Sequence, residues 1–222
     1  MPSILIVGAS RGLGLELAGQ FAAKGWRVLG TVRDLASGAR LSVKGAEVHL
    51  CDVADPASIT RLAASLAGTA LDVVFVNAGI YNDRGGFGQV DPGPFLEAIR
   101  INTLAPLLIA QAFAKRLTGR KVFAVMSSKM GAMSENTSGG SYSYRASKAA
   151  LNMVVTSLAL DLAPLGVTVV AISPGWVKTD MGGPGAPLEP TEAMAGVARV
   201  LEAADLDQSG KFLHYDGSQV NW

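Results

Sequence analysis

Tyr144 and Lys148 stand four residues apart in the run Tyr144-Arg145-Ala146-Ser147-Lys148-Ala149-Ala150-Leu151-Asn152. On a helix that spacing puts both side chains on one face, with the ammonium near the phenol. A phenol ordinarily releases its proton near pH ~10. A neighbouring cation favours the phenolate and lowers that value. The pair is therefore suited to give a proton to an oxygen or take one from it. Tyr and Lys also share helix faces by chance, so the pair gains meaning from a second feature upstream. Gly8, Gly12 and Gly14 punctuate the turn Gly8-Ala9-Ser10-Arg11-Gly12-Leu13-Gly14, between an apolar run at 3–7 and a helical pattern of Leu13, Leu17 and Phe21. Such glycines permit a tight turn and close approach of backbone to a pyrophosphate, and the helix start offers free N–H groups. Their placement, G-x-x-x-G-x-G, differs from the usual G-x-G-x-x-G. A phosphate-binding glycine loop and a tunable proton donor or acceptor in one chain make a stronger signal together than either does alone.

The end of the second apolar run selects the nucleotide. A carboxylate there would hydrogen-bond a free ribose 2′-hydroxyl. The residues are Thr31-Val32-Arg33-Asp34, and Val32 cannot do this. Arg33 can fork onto a 2′-phosphate, and Arg11 inside the glycine loop can approach the same group. Together they favour NADP(H), with Asp34 a nearby competitor for the ribose. Asp52, after the third run, suits either the adenine amino group or a turn cap before Pro56. Asn77-Ala78-Gly79 closes the fourth run with small residues that let backbone pass along a cofactor, or simply turn the chain.

Positioning these groups requires strands and helices in alternation. Apolar runs at 3–7, 27–32, about 46–50, 71–76, 121–126, 167–172 and 212–214 read as strands. The stretches 55–67, 94–117 (irregular at Pro106), 142–163 and 191–203 read as helices, with loops at 79–93, 127–141 and a mobile one at 174–190. Strands spaced in this way by helices specify an α/β fold, a parallel sheet covered on both faces. At 222 residues the chain is read as a single Rossmann domain, 1–222, with a short substrate loop around 176–190.

A net charge of +1 and the absence of a basic stripe argue against nucleic acid. Cys51 is the sole cysteine, which excludes an internal disulfide and a cysteine-based metal cluster, and it reads as a buried small hydrophobe. His49 and His214 lack ligand spacing, so no metal is expected. Met1-Pro2-Ser3 runs straight into a strand without a cationic leader, and no apolar run approaches the roughly 20 residues that span a bilayer. The expectation is a cytoplasmic protein with a small-molecule partner and no membrane.

The glycine loop, Asn77-Ala78-Gly79, Asn102, a serine before the 127–141 loop, Tyr144-x-x-x-Lys148 and Pro174-Gly175 occur in an order that resembles the classical short-chain dehydrogenase/reductase family over essentially the whole chain. Ser127-Ser128-Lys129-Met130-Gly131, the segment from Pro174 to Gly183 and Gly210-Lys211-Phe212-Leu213-His214-Tyr215-Asp216-Gly217 resemble its C-factor/sniffer-like carbonyl reductase group. The resemblance implies a seven-stranded sheet of order 3-2-1-4-5-6-7. It implies Tyr144 as the acid in carbonyl reduction, Lys148 lowering its pKa and holding the nicotinamide ribose, and Asn102 supporting a water near the lysine. Ser127 and Ser128 compete to orient the substrate oxygen. The family pattern selects Ser128, which precedes Tyr144 by 16 residues, a longer interval than is common. Tyr142 has no lysine four residues on.

The same resemblance puts Ser10, Leu13, Val53, Ala78, Pro174, Gly175 and Val177 along the cofactor, with Thr179 on the carboxamide, and Trp176, Phe87 and Met133 are candidates for the pocket. It implies NADPH-dependent reduction of an aldehyde, ketone or quinone, in a homodimer or homotetramer formed through the helices at 94–117 and 142–163. The alternative is a catalytically silent NADP(H)-binding signalling or scaffold protein, which would bind NADPH without turnover.

Overall fold

The computed structural model describes residues 1–82 and 86–222. Strands β1 (Ser3–Val7), β2 (Arg27–Val32), β3 (Glu47–Leu50), β4 (Leu71–Val76), β5 (Leu117–Met126), β6 (Thr168–Ser173) and β7 (Phe212–His214) form one sheet in the order β3-β2-β1-β4-β5-β6-β7. Every pairing is parallel. The helices between them are α1 (Gly12–Ala23), α2 (Ala39–Val43), α3 (Pro56–Ser65), α4 (Pro92–Ile99), α5 (Ala105–Phe113), α6 (Tyr142–Leu162) and α7 (Pro190–Ala203).

The alternation of side chains along each strand builds two cores. Ile4 and Ile6 of β1 join Leu17 and Phe21 of α1 and Val197 of α7 on one face. Leu5 and Val7 join Ile109 of α5 and Leu151 and Val155 of α6 on the other. Because both faces are covered, β1 is buried at every position, and its sequence reads as continuous rather than alternating. Fully burying one such Leu, Ile or Phe contributes about 1.5–3 kcal/mol.

The chain runs outward through β1, β2 and β3, then returns to β4 beside β1. The loops after β1 and β4 therefore diverge, opening a crevice at the carboxyl ends of the strands. The glycine loop and Asn77-Ala78-Gly79 meet there.

Three elements differ from the sequence expectation. The helix expected over 94–117 is divided. Asp91 caps α4 by accepting from Gly93 N at 2.9 Å, and a π-helical turn at Arg100–Leu104 joins α4 to α5. Pro106 has no N–H to donate to the carbonyl four residues back, that of Asn102, so the regular ladder cannot pass this point. Strand β5 begins at Leu117, before the predicted 121, and its pairing with β4 shifts register between Leu71 and Val73. The polar Thr118-Gly119-Arg120 hides this start. The stretch Tyr142–Leu165 has the length and mean hydropathy (1.2) of a bilayer-crossing segment, contrary to the sequence reading, but on composition alone. Leu151, Val155, Leu158 and Leu162 pack into the core while Met153 and Leu160 are exposed, and the helix carries the buried polar residues Tyr144, Ser147 and Lys148.

The 127–141 segment contains 3-10 turns at Lys129–Gly131 and Met133–Glu135. The 79–93 loop includes 83–85, which lie outside the described residues.

Candidate active site

Each strand that ends at the crevice delivers one predicted group. After β1, Gly8 has φ +89°, and a Cβ there would meet Ala78 at 2.8 Å. A Cβ on Gly14 would meet Gly8 O at 2.1 Å. Glycine is therefore compelled at both positions by the approach of β4's end to the start of α1. Asn77 fastens this junction, donating from Nδ2 to Gly8 O at 2.6 Å, while Asn77 N and Ala78 N both donate to Val7 O. Thr31, a residue the sequence reading did not single out, holds the loop from the other side. Its Oγ1 accepts from Gly8 N at 2.9 Å and its carbonyl from Ala9 N at 2.8 Å. The N-cap of α1, Arg11, makes no side-chain cap hydrogen bond, and the helix start stays open to a phosphate from solution. Ser10 and Leu13 lie within this loop, half-buried.

At the end of β2, Arg33 is exposed. Asp34 is occupied, accepting from Ser37 N and Ser37 Oγ at 2.9 Å each, which holds its carboxyl below the usual carboxylate range. Asp34 thus caps the 3-10 turn that follows β2. Arg11 pairs with Asp180 from the loop after β6, both side chains exposed. Asp52 takes the turn geometry, accepting from Ala54 N at 2.9 Å, with Val53 packed against the core behind it. Cys51 is buried, and burial pushes its thiol up to about 11.

Ser128, Tyr144 and Lys148 come together where β5 ends beside the first turns of α6. Tyr144 is 9% exposed and Lys148 4%, whereas Tyr142 is 39% exposed and faces outward. The two candidate serines separate clearly. Ser127 is buried and donates to Asn152 Oδ1 at 2.6 Å, a structural bond. Ser128 is half-buried and hydrogen-bonds the Tyr144 side chain. Lys148 Nζ donates to Met126 O at 2.8 Å and stands 5.8 Å from the centroid of the Tyr144 ring.

The electrostatics depart from the sequence expectation that the lysine lowers the tyrosine's pKa. Burial pushes Tyr144 up to about 12, against the opposing hydrogen bond from Ser128. Burial also draws Lys148 down to about 8. Desolvation penalises the charged form of each group and is the leading cause of both shifts.

Asn102 is fully buried and used on every side. Its Oδ1 accepts from Ile80 N at 2.8 Å, and its Nδ2 donates to Ile80 O at 2.9 Å and to Ser147 Oγ at 3.0 Å. It clamps the segment after β4 to the turn of α6 that carries Tyr144 and Lys148. The π turn is what aims Asn102 at both.

Past β6, Pro174 leads to Gly175 at φ +82°. Val177 is buried and bridges Leu188, and Lys178 pairs with Glu189. Thr179 Oγ1 accepts from Gly182 N at 3.0 Å, and Trp176 Nε1 donates to Gly182 O at 2.8 Å. The segment read as a mobile loop is thus bonded across its neck. Trp176 remains 60% exposed, and Phe87 and Met133 are exposed as well.

A nucleotide cradle and a serine–tyrosine–lysine cluster on one doubly wound sheet define a dinucleotide-dependent oxidoreductase. The family model described as "Enoyl-(Acyl carrier protein) reductase" matches residues 8–220, and the chain belongs to the short-chain dehydrogenase/reductase family. The C-signal protein of Myxococcus xanthus is 41% identical over 155 residues, covering 68% of this chain and 93% of that protein. A short-chain dehydrogenase/reductase from Burkholderia multivorans, solved with bound NADP, is 36% identical with a TM-score of 0.91, over 100% of this chain and 99% of that one. The carbonyl reductase Sniffer of D. melanogaster is 31% identical with a TM-score of 0.93 over the full length of both.

Proposed function

We propose that this NADP(H)-dependent oxidoreductase reduces a carbonyl group of an aldehyde, ketone or quinone to an alcohol, with Tyr144 as proton donor. The observation that carries the reading is the hydrogen bond between Ser128 and Tyr144 above a buried Lys148. Gly8, Gly12, Gly14 and the open start of α1 would hold the pyrophosphate. Arg33, with Arg11, would hold the 2′-phosphate. Asp52, Val53 and Asn77-Ala78-Gly79 would border the adenosine and ribose side, and Pro174, Gly175, Val177 and Thr179 the nicotinamide. The bound nicotinamide supplies the hydride.

The protein's residues supply the rest. Ser128 and Tyr144 donate hydrogen bonds to the carbonyl oxygen and fix its position. A phenol with a pKa of about 12 is protonated throughout the neutral range, which is the form that a reduction requires. Tyr144 gives its proton to the oxygen as negative charge develops there. Lys148, charged below about pH 8, stabilises the phenolate that remains. Asn102 holds the turn carrying both residues. The short loop after β6, with few bulky groups, favours a broad range of substrates.

The test is consumption of NADPH and NADH with a panel of aldehydes, ketones and quinones, using the wild type and Arg33→Ala. Turnover with at least one carbonyl and preference for NADPH are expected. Loss of charge-assisted bonds to the 2′-phosphate in Arg33→Ala should raise KM for NADPH by about 10- to 100-fold and leave NADH unaffected. Equal use of both cofactors by the wild type would count against the assignment of Arg33.

A further inference from the structure

We infer that Tyr81 is a positioning residue for Tyr144, bracing its phenol from the substrate side through a ring contact and through the start of α6. The inference rests on the reading of Tyr144 as the proton donor. The rings of Tyr81 and Tyr144 meet edge to face, with centroids 4.9 Å apart and planes at 65°. The Tyr81 hydroxyl lies 2.9 Å from Ser141 Oγ. Ser141 occupies the N-cap position of α6, where a serine ordinarily bonds the helix's own free N–H groups. It makes no such bond. Its hydroxyl is engaged with Tyr81 instead, and its backbone is held in the left-handed region at φ 46°, ψ 46°. A non-glycine residue stays in that conformation only where its surroundings enforce it.

Tyr81 is itself fixed from behind. The preceding residue, Ile80, has both backbone polar groups bonded by Asn102. Asn102 also bonds Ser147 Oγ, which in turn donates to Tyr144 O at 2.8 Å. Tyr144 is therefore gripped through its backbone by the Asn102–Ser147 pair and through its ring by Tyr81, two struts that start from adjacent residues of one segment. Tyr81 is 43% exposed, so its ring borders the space next to the phenol rather than filling the core. Its proximity also favours the protonated form of Tyr144.

The experiment combines kinetics with fluorine NMR of protein carrying 3-fluorotyrosine at its four tyrosines. The Tyr144 resonance is identified by its absence from Tyr144→Phe. Removing the ring in Tyr81→Leu should broaden or split that resonance, as a loosened phenol would, and lower kcat by about 10- to 100-fold, the scale of a misplaced reacting group, with NADPH affinity unchanged. Tyr81→Phe keeps the ring contact. It should leave the resonance near its wild-type position and lower kcat by only about 2- to 10-fold, the value of one hydrogen bond. Ser141→Ala should match Tyr81→Phe, and the double variant should be no worse than either, because both remove the same bond.

A Tyr144 resonance in Tyr81→Leu that stays single and as sharp as in the wild type, or additive losses in the double variant, would overturn the inference. A wild type that turns over no carbonyl contradicts the proposed reaction. The fluorine spectrum decides the bracing of Tyr144 in that case too, so the two failures are distinguishable.

Discussion

Tyr144→Phe is expected to reduce kcat for carbonyl reduction by about 10²–10⁴-fold, the range of a lost general acid, while NADPH binds as before. The ring is 9% exposed and packs against Tyr81, so the substitution preserves volume and removes only the hydroxyl. Ser128 then loses one partner, keeps the bond it accepts from Met130 N, and remains exposed enough to bond water or substrate. KM for the carbonyl should change less than kcat, since proton donation acts in the transition state. Steady-state rates together with fluorescence titration of NADPH check both parts. A variant retaining more than about a tenth of wild-type kcat would show that the proton comes from elsewhere.

Lys148→Met should separate stability from activity. The lysine's folded pKa of about 8 lies below its ordinary value of 10.5, so between these values the unfolded chain holds more protons than the folded one. Stability accordingly rises with pH across that window, and below about pH 8 the buried charge imposes its full cost, on the order of 3 kcal/mol. Methionine keeps the stem volume without the charge, but it gives up the bond to Met126 O. The net gain at neutral pH is expected to be about 1–2 kcal/mol, raising Tm by roughly 2–8 °C. Turnover should fall by about 10²–10³-fold, because the cation that stabilises the forming phenolate is gone and only the Ser128 hydrogen bond remains.

The wild-type rate of reduction should decline as pH rises through about 8, where Lys148 loses its charge while Tyr144 is still protonated, and that limb should vanish in the variant. Calorimetry showing a lowered Tm, or a pH profile unchanged by the substitution, would contradict this balance.

The parts of the site that the sequence made legible are those whose spacing is local. Tyr144 and Lys148 share a helix face, and the glycines of 8–14 lie within one turn, so short-range geometry is enough to place them. The strand and helix alternation was legible for a similar reason, since strands buried on both faces stand out as apolar runs. What was missed depends on contacts between distant segments. Ser127 and Ser128 both meet α6, at Asn152 and at Tyr144, and only the family pattern, not local spacing, selected Ser128; Thr31 matters because β2 lies beside β1. Tyr81 is 60 residues from Ser141, and no local pattern links them.

The π turn at Arg100–Leu104 lies within a continuous helical pattern, and only the proline that follows it left a trace. The direction of the Tyr144 shift was misjudged for a related reason, because spacing reveals the neighbouring lysine but not the depth of burial of both groups.

Hydride transfer is tested most directly with NADPH deuterated at the transferring C4 position, supplied with the carbonyl that is turned over fastest. Mass spectrometry of the alcohol should find one deuterium on the carbinol carbon in the wild type, with almost no product from Tyr144→Phe. An alcohol without deuterium, or no alcohol from any carbonyl despite saturable NADPH binding, would contradict the account.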